Sequence, residues 1–112
     1  MTYERFKVVR VPFPFSDRDA HKNRPALILS DDTVFNSASG HSVMAMITSA
    51  EHSPWPLDVV IDDLEAVGLS APSRVRFKLF TLDHRLVRGV LGELGVPDRE
   101  RVVDALSQLL GA

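Results

Sequence analysis

The residues of this chain that could do chemistry are cations and hydroxyls. Arg24 follows Lys22 and Asn23 at the point where a polar stretch meets an apolar run, and Thr48 and Ser49 close a second apolar run. A positively charged loop joined to a rigid strand is a common place for binding residues. Read alone, Arg24 is equally a surface cation and Thr48-Ser49 equally a strand end. Other chemistries are poorly supported. There is no cysteine, so a disulfide scaffold, a thiolate zinc site and a cysteine nucleophile are all excluded. The four histidines, His21, His41, His52 and His84, show no i, i+4 pair that would grip a metal, so no metal site is expected. Gly-rich phosphate loops, G-x-S-x-G and H-E-x-x-H are missing. Ser39-Gly-His-Ser42 reads as a turn. Trp55, between Pro54 and Pro56, is either a binding platform or packing.

Charge is segregated along the chain. Residues 1–30 carry Arg5, Lys7, Arg10, Arg18, Lys22 and Arg24 against Glu4, Asp17 and Asp19. Residues 31–65 hold seven acids and neither Lys nor Arg, and residues 66–92 hold Arg74, Arg76, Lys78, Arg85 and Arg88 against Asp83 alone. Two outcomes are open. Neighbouring basic segments would make a local positive field for a polyanion despite the net charge of -2, or the acidic block would pair with the basic ones.

The elements that must position these residues form a single domain over 1–112, since 112 residues leave no room for a second core. Alternation over 6–15 slips phase at Val8-Val9, which predicts a bulge, and Pro12 and Pro14 end that strand at an edge or loop. A polar, exposed connection follows over 16–24. The apolar run Pro25–Ser30 predicts a central strand, and Asp31–Asn36 a helical turn capped by Ser30 or Asp31. Val43, Ala45 and Ile47 share one face of the next strand, and Met44, Met46 and Thr48 share the other. Leu57, Val59 and Ile61 continue as a strand. Arg74–Leu79 alternates so that Arg74, Arg76 and Lys78 lie on one face, about 6.6 Å apart. Arg85–Leu91 predicts a further strand. Pro97 opens a helix with Asp98 and Glu100 in its first turn; Val102, Val103, Leu106, Leu109 and Leu110 make its apolar stripe, and Gly111 ends it. Short strands and one amphipathic helix predict a small, mainly β barrel. No apolar span or leader is evident, so no membrane association and a cytoplasmic location are expected.

Five ordered blocks carry a resemblance: Val11-Pro-Phe-Pro-Phe-Ser-Asp17, Lys22-Asn-Arg-Pro-Ala-Leu-Ile-Leu-Ser30, Asn36, Met46-Ile-Thr-Ser49 and Lys78-Leu-Phe-Thr-Leu-Asp83. With the later Gly92-Glu-Leu94 and the C-terminal helix, they make nearly the whole chain resemble the MazF/PemK family of toxin endoribonucleases. The resemblance implies an SH3-like barrel (CcdB/MazF-like) with a C-terminal α-helix. It also implies a homodimer, a cognate antitoxin protein as partner, DNA binding together with that antitoxin, and cleavage of single-stranded RNA at short sequence motifs with no metal or cofactor. Trp55 and the helix are candidates for the dimer interface by elimination.

The family's catalytic arginine falls on Arg24 and its catalytic threonine on Thr48. The residue types suit attack by a ribose 2′-OH on the adjacent phosphorus, which leaves a 2′,3′-cyclic phosphate and a 5′-OH. A guanidinium stabilises charge growing on the non-bridging oxygens, and a hydroxyl donates to them. His21 is the candidate for proton transfer, its alternative being a solvated loop histidine. The RNA-binding set expected alongside is His21, Lys22, Asn23, Ser49, Arg74, Arg76 and Lys78. Two positions depart from the family pattern: Lys78 stands where some members carry an acid, and Met46 near a frequent proline. Strand 74–79 therefore reads as a phosphate-gripping ribbon. A non-catalytic nucleic-acid-binding or gyrase-directed relative on the same fold is the alternative. The gyrase-directed type ends in Trp-Gly-Ile, whereas this chain ends Leu109-Leu-Gly-Ala112.

Overall fold

A computed structural model describes residues 3–12 and 22–112. Six antiparallel strands form one sheet in the order β4-β5-β3-β2-β1-β6: β1 Lys7–Pro12, β2 Asn23–Ile28, β3 His41–Ser49, β4 Val59–Val60, β5 Ser73–Asp83 and β6 Gly89–Glu93. The sheet makes a mainly β half-barrel with a C-terminal helix, the expected class. A π-type turn, Asp32–Asn36, runs into the single α-turn α1, Ser37–Ser39; helix α2 spans Val96–Leu110. No helix among the described residues is long and apolar enough to cross a membrane.

The sheet buries both faces. On one side Val8, Leu27, Leu29, Ala45, Ile47, Val75 and Phe77 pack with Val102 and Ala105 of α2. On the other, Val9, Val11, Ala26, Ile28, Met44 and Leu82 form a second cluster. A strand apolar at every position belongs where both faces are covered, and Ala26, Leu27 and Ile28 have no exposed surface. The bulge at Val8/Val9 is present in the pairing of β1 with β6. Asp31 caps the helical turn, accepting from the Thr33 and Val34 amides.

Three expectations are corrected. The strand predicted through Leu57 to Ile61 shrinks to Val59–Val60. Leu57 takes a positive φ of 67°, and the turn before it closes through Asp58 N–H to the Trp55 carbonyl at 3.1 Å. The strand expected over Arg85–Leu91 begins only at Gly89, as β6, while β5 runs on to Asp83. There the Asp83 carboxylate accepts the Arg85 amide at 2.9 Å and turns the chain into a 3₁₀ turn, His84–Leu86. The helix begins at Val96, Pro97 lies in its first turn, and Gly111 ends it at a φ of 72°. Its buried stripe is Asp98, Val102 and Ala105, while Val103, Leu109 and Leu110 are exposed. Asp98 points inward because its carboxylate accepts the Asp62 and Asp63 amides and pairs with Arg101.

Candidate active site

Arg24 is the second residue of β2 and pairs across the sheet with Val11 of β1. On its other side, β2 and β3 pair Ala26 with Met46, Leu27 with Ala45 and Ile28 with Met44. Carrying that register two residues further sets Arg24 opposite Thr48, and two-residue steps keep both on the face of the second apolar cluster. Opposed positions on antiparallel strands hold their Cβ atoms about 5 Å apart. The observed pairing ends at Ala26–Met46, and continuing it by these two residues is what makes Arg24 and Thr48 candidates for one rim. Arg24 is half-buried and has no ion-pair partner among the described residues. Asn23 opposes Pro12 at the start of β2, and Lys22 precedes it; both are exposed.

Thr48 is buried, 9% exposed, and its Oγ1 lies 2.7 Å from His52 Nδ1. The turn that brings His52 back is built by Ser49. The Ser49 carbonyl accepts the His52 amide at 3.2 Å, and its hydroxyl accepts the Glu51 amide at 3.2 Å. Ser49 therefore shapes the rim, its hydroxyl engaged with backbone. His52 is thus a direct neighbour of Thr48 that composition and motif spacing do not single out. Its signal was the spacing Thr48-Ser-Ala-Glu-His52, legible only with knowledge that 49–52 forms a tight turn.

On the far side of β3, Thr48 pairs with Arg74 and Met46 with Arg76. Two extra β5 residues, Phe77 and Lys78, bulge between Arg76 and Leu79, and this even number preserves the alternation. Arg74, Arg76 and Lys78 accordingly share a face, but they do not form a free ribbon. Asp58 Oδ2 lies 2.9 Å from Arg76 Nη2 and 3.4 Å from Arg74 Nη1, with all three side chains largely buried. The guanidiniums also donate to backbone, Arg74 to the Ala50 carbonyl and Arg76 to that of Ser53, both at 2.6 Å. Burial pushes the Asp58 carboxyl upward. Hydrogen bonds from Arg76, the Trp55 amide and Arg74 outweigh it and hold the group below its ordinary range. The acidic block thus does pair with this basic one. Two cations on one carboxylate still leave one net positive charge beside Thr48. Lys78 is half-buried, with Nζ 4.8 Å from the Trp55 ring centre, and Arg76 lies 5.7 Å from the same centre. Trp55, 43% exposed, is thus a platform already holding two cations.

The basic segments are separated only by β3, which lies between β2 and β5. His21, the proton-transfer candidate, and Pro14, the expected strand terminator, lie outside the described residues. Among those described, no three His, Asp or Glu side chains gather as a metal site.

This architecture and its sequence define the class. Residues 4–110 match the family described as PemK-like, MazF-like toxin of type II toxin–antitoxin system. The chain belongs to that family. Among solved structures, MazF from Deinococcus radiodurans is similar with a TM-score of 0.77 and 25% identity, over 100% of this chain and 99% of that one. A MazE–MazF crystal form from the same organism gives 0.75 and 25%, over 99% and 97%. An endoribonuclease in complex with its cognate antitoxin, from a mycobacterial species, gives 0.77 and 21%, over 97% and 95%. No curated protein sequence matches the chain at a significant level.

Proposed function

We propose that this protein is the ribonuclease of a toxin–antitoxin pair and cuts single-stranded RNA at short sequence motifs by attack of a ribose 2′-OH on the adjacent phosphorus. The observation that supports this reading is the β2–β3 register, Ala26 with Met46 and Ile28 with Met44, which continued by two residues makes Arg24 the partner of Thr48. Arg24 engages the non-bridging oxygens with a planar fork of donors, and Thr48 donates to the same oxygens as they gain charge. Because the substrate supplies the nucleophile, neither a protein nucleophile nor a metal is needed for bond formation. Lys22 and Asn23, both exposed, hold flanking phosphates, and the net positive Arg74–Asp58–Arg76 group adds a favourable field beside Thr48. Family membership and similar structures titled as toxin–antitoxin complexes support a cognate antitoxin as partner. Exposed Leu109 and Leu110 on α2 support pairing with a second copy.

The test is cleavage of a long single-stranded RNA in excess EDTA, wild type beside Arg24→Ala. Persistent cutting by the wild type and its loss in the variant support the reading. Tight binding without cutting favours a non-catalytic relative.

A further inference from the structure

The arrangement at Thr48 leaves one step of that reaction unassigned: removal of the 2′-OH proton. Arginine is a poor base, and the Thr48 hydroxyl is already engaged at 2.7 Å by His52 Nδ1. The two possible directions of this hydrogen bond have different consequences. If Thr48 donates to Nδ1, its only hydrogen is spent and it cannot donate to a phosphate. If Nδ1–H donates to Thr48 Oγ1, the threonine hydrogen is free for the substrate. The neutral ring then carries a bare Nε2, a base. Thr48 is buried while His52 is exposed, so the imidazole is the open end of the pair. Only the second arrangement lets both residues serve one phosphodiester.

We infer that His52 is the general base of RNA cleavage, its Nδ1–H held on Thr48 Oγ1 and its Nε2 directed at the ribose that Thr48 and Arg24 position. This rests on the proposed ribonuclease activity. The 2′-OH proton passes to Nε2 as the 2′-oxygen bonds to phosphorus. The bond from phosphorus to the 5′-oxygen breaks, its electron pair stays on that oxygen, and a solvent water protonates it. The imidazolium then returns its proton to the hydroxide left in solvent. The turn 49–52 is held by the His52 amide on the Ser49 carbonyl and the Glu51 amide on the Ser49 hydroxyl, and with the ring's own contact to Thr48 this gives an exposed histidine a set position. The charged groups of the surrounding elements are Glu51 on the same turn, Arg74, Arg76 and Asp58 on the β5 side, and Arg24 on β2.

Two measurements on the full chain test it. Nitrogen-15 spectra of the histidine rings report the tautomer independently of activity. The neutral His52 ring is expected protonated at Nδ1 and bare at Nε2, with Thr48→Val shifting it toward the ordinary Nε2–H form. A wild-type ring protonated at Nε2 overturns the inference. In metal-free cleavage, His52→Ala is expected to lower kcat by about 100-fold or more, with free imidazole restoring part of the rate. His52→Asn keeps an N–H toward Thr48 but supplies no base. It should be as slow as His52→Ala and lose the acid limb of the kcat/KM pH profile. Wild-type rates in His52→Asn reduce His52 to a positioning residue and overturn the assignment. If Arg24→Ala abolishes cutting while the His52 variants cut normally, the inference fails and the ribonuclease reading stands. If the wild type cuts no RNA, both fail.

Discussion

Asp58 holds two guanidiniums at once, with Oδ2 2.9 Å from Arg76 and 3.4 Å from Arg74, and so ties the 50–58 loop to β5 beside Thr48. Removing one member of a buried ionic group strands the others. Asp58→Ala should therefore cost about 3 kcal/mol, read as a lower urea midpoint. The carboxyl is held below its ordinary value of 3.8 in the folded protein. Its contribution is complete above that value and is lost as pH falls through the folded one. Acid titration of stability should show a loss below pH 3.8 that Asp58→Asn largely lacks.

Arg24→Ala and Thr48→Val remove the two groups proposed to engage the scissile phosphate. Each should lower kcat by about 100-fold or more in RNA cleavage while thermal melts shift little. Thr48→Ser keeps the hydroxyl and should retain most activity. Equal losses in Thr48→Ser and Thr48→Val would argue for packing rather than donation.

His84 lies on the opposite end of the sheet, its Nε2 2.7 Å from the buried Ser42 hydroxyl and its ring centre 4.4 Å from that of Tyr3. Burial, with help from nearby His41, lowers its pKa from the ordinary 6.5, although Asp83 opposes the shift. The folded ring stays neutral where the unfolded one takes a proton. Its contribution is therefore complete above pH 6.5 and declines below it. Denaturant midpoints should fall between about pH 7.5 and about pH 5.5, and His84→Gln, which keeps a partner for Ser42, should reduce that slope.

Gly92 of β6 is pressed against the 64–68 loop: a Cβ there would lie 2.2 Å from the Ala66 carbonyl oxygen. Gly92→Ala must displace backbone, and it should lower the melting temperature far more than Gly40→Ala. Gly40 has open space around its Cβ position, and its own cost comes only from its φ of 71°.

Local patterns were legible wherever one physical rule governed them. The Val8-Val9 phase slip gave the bulge, Pro25–Ser30 gave a central strand, and Ser30-Asp31 offered a cap that Asp31 supplies. Alternation in 74–79 placed its three cations on one face. What it could not reveal was a carboxylate, sixteen residues before Arg74, returning to pair with two of them, because pairing between distant segments depends on loop geometry. The same limit hid His52, whose contact with Thr48 depends on the turn at Ser49. It also misjudged α2, where Asp98 is buried for its backbone contacts and Leu110 is left 66% exposed.

End-group mapping of RNA treated with this protein in EDTA tests the central claim most directly. Attack by a substrate hydroxyl under Arg24 and Thr48 predicts 2′,3′-cyclic phosphate on every upstream fragment and 5′-OH on every downstream one, with no cuts from the Arg24→Ala protein. Fragments bearing 5′-phosphate, or cutting that survives in Arg24→Ala, would contradict it.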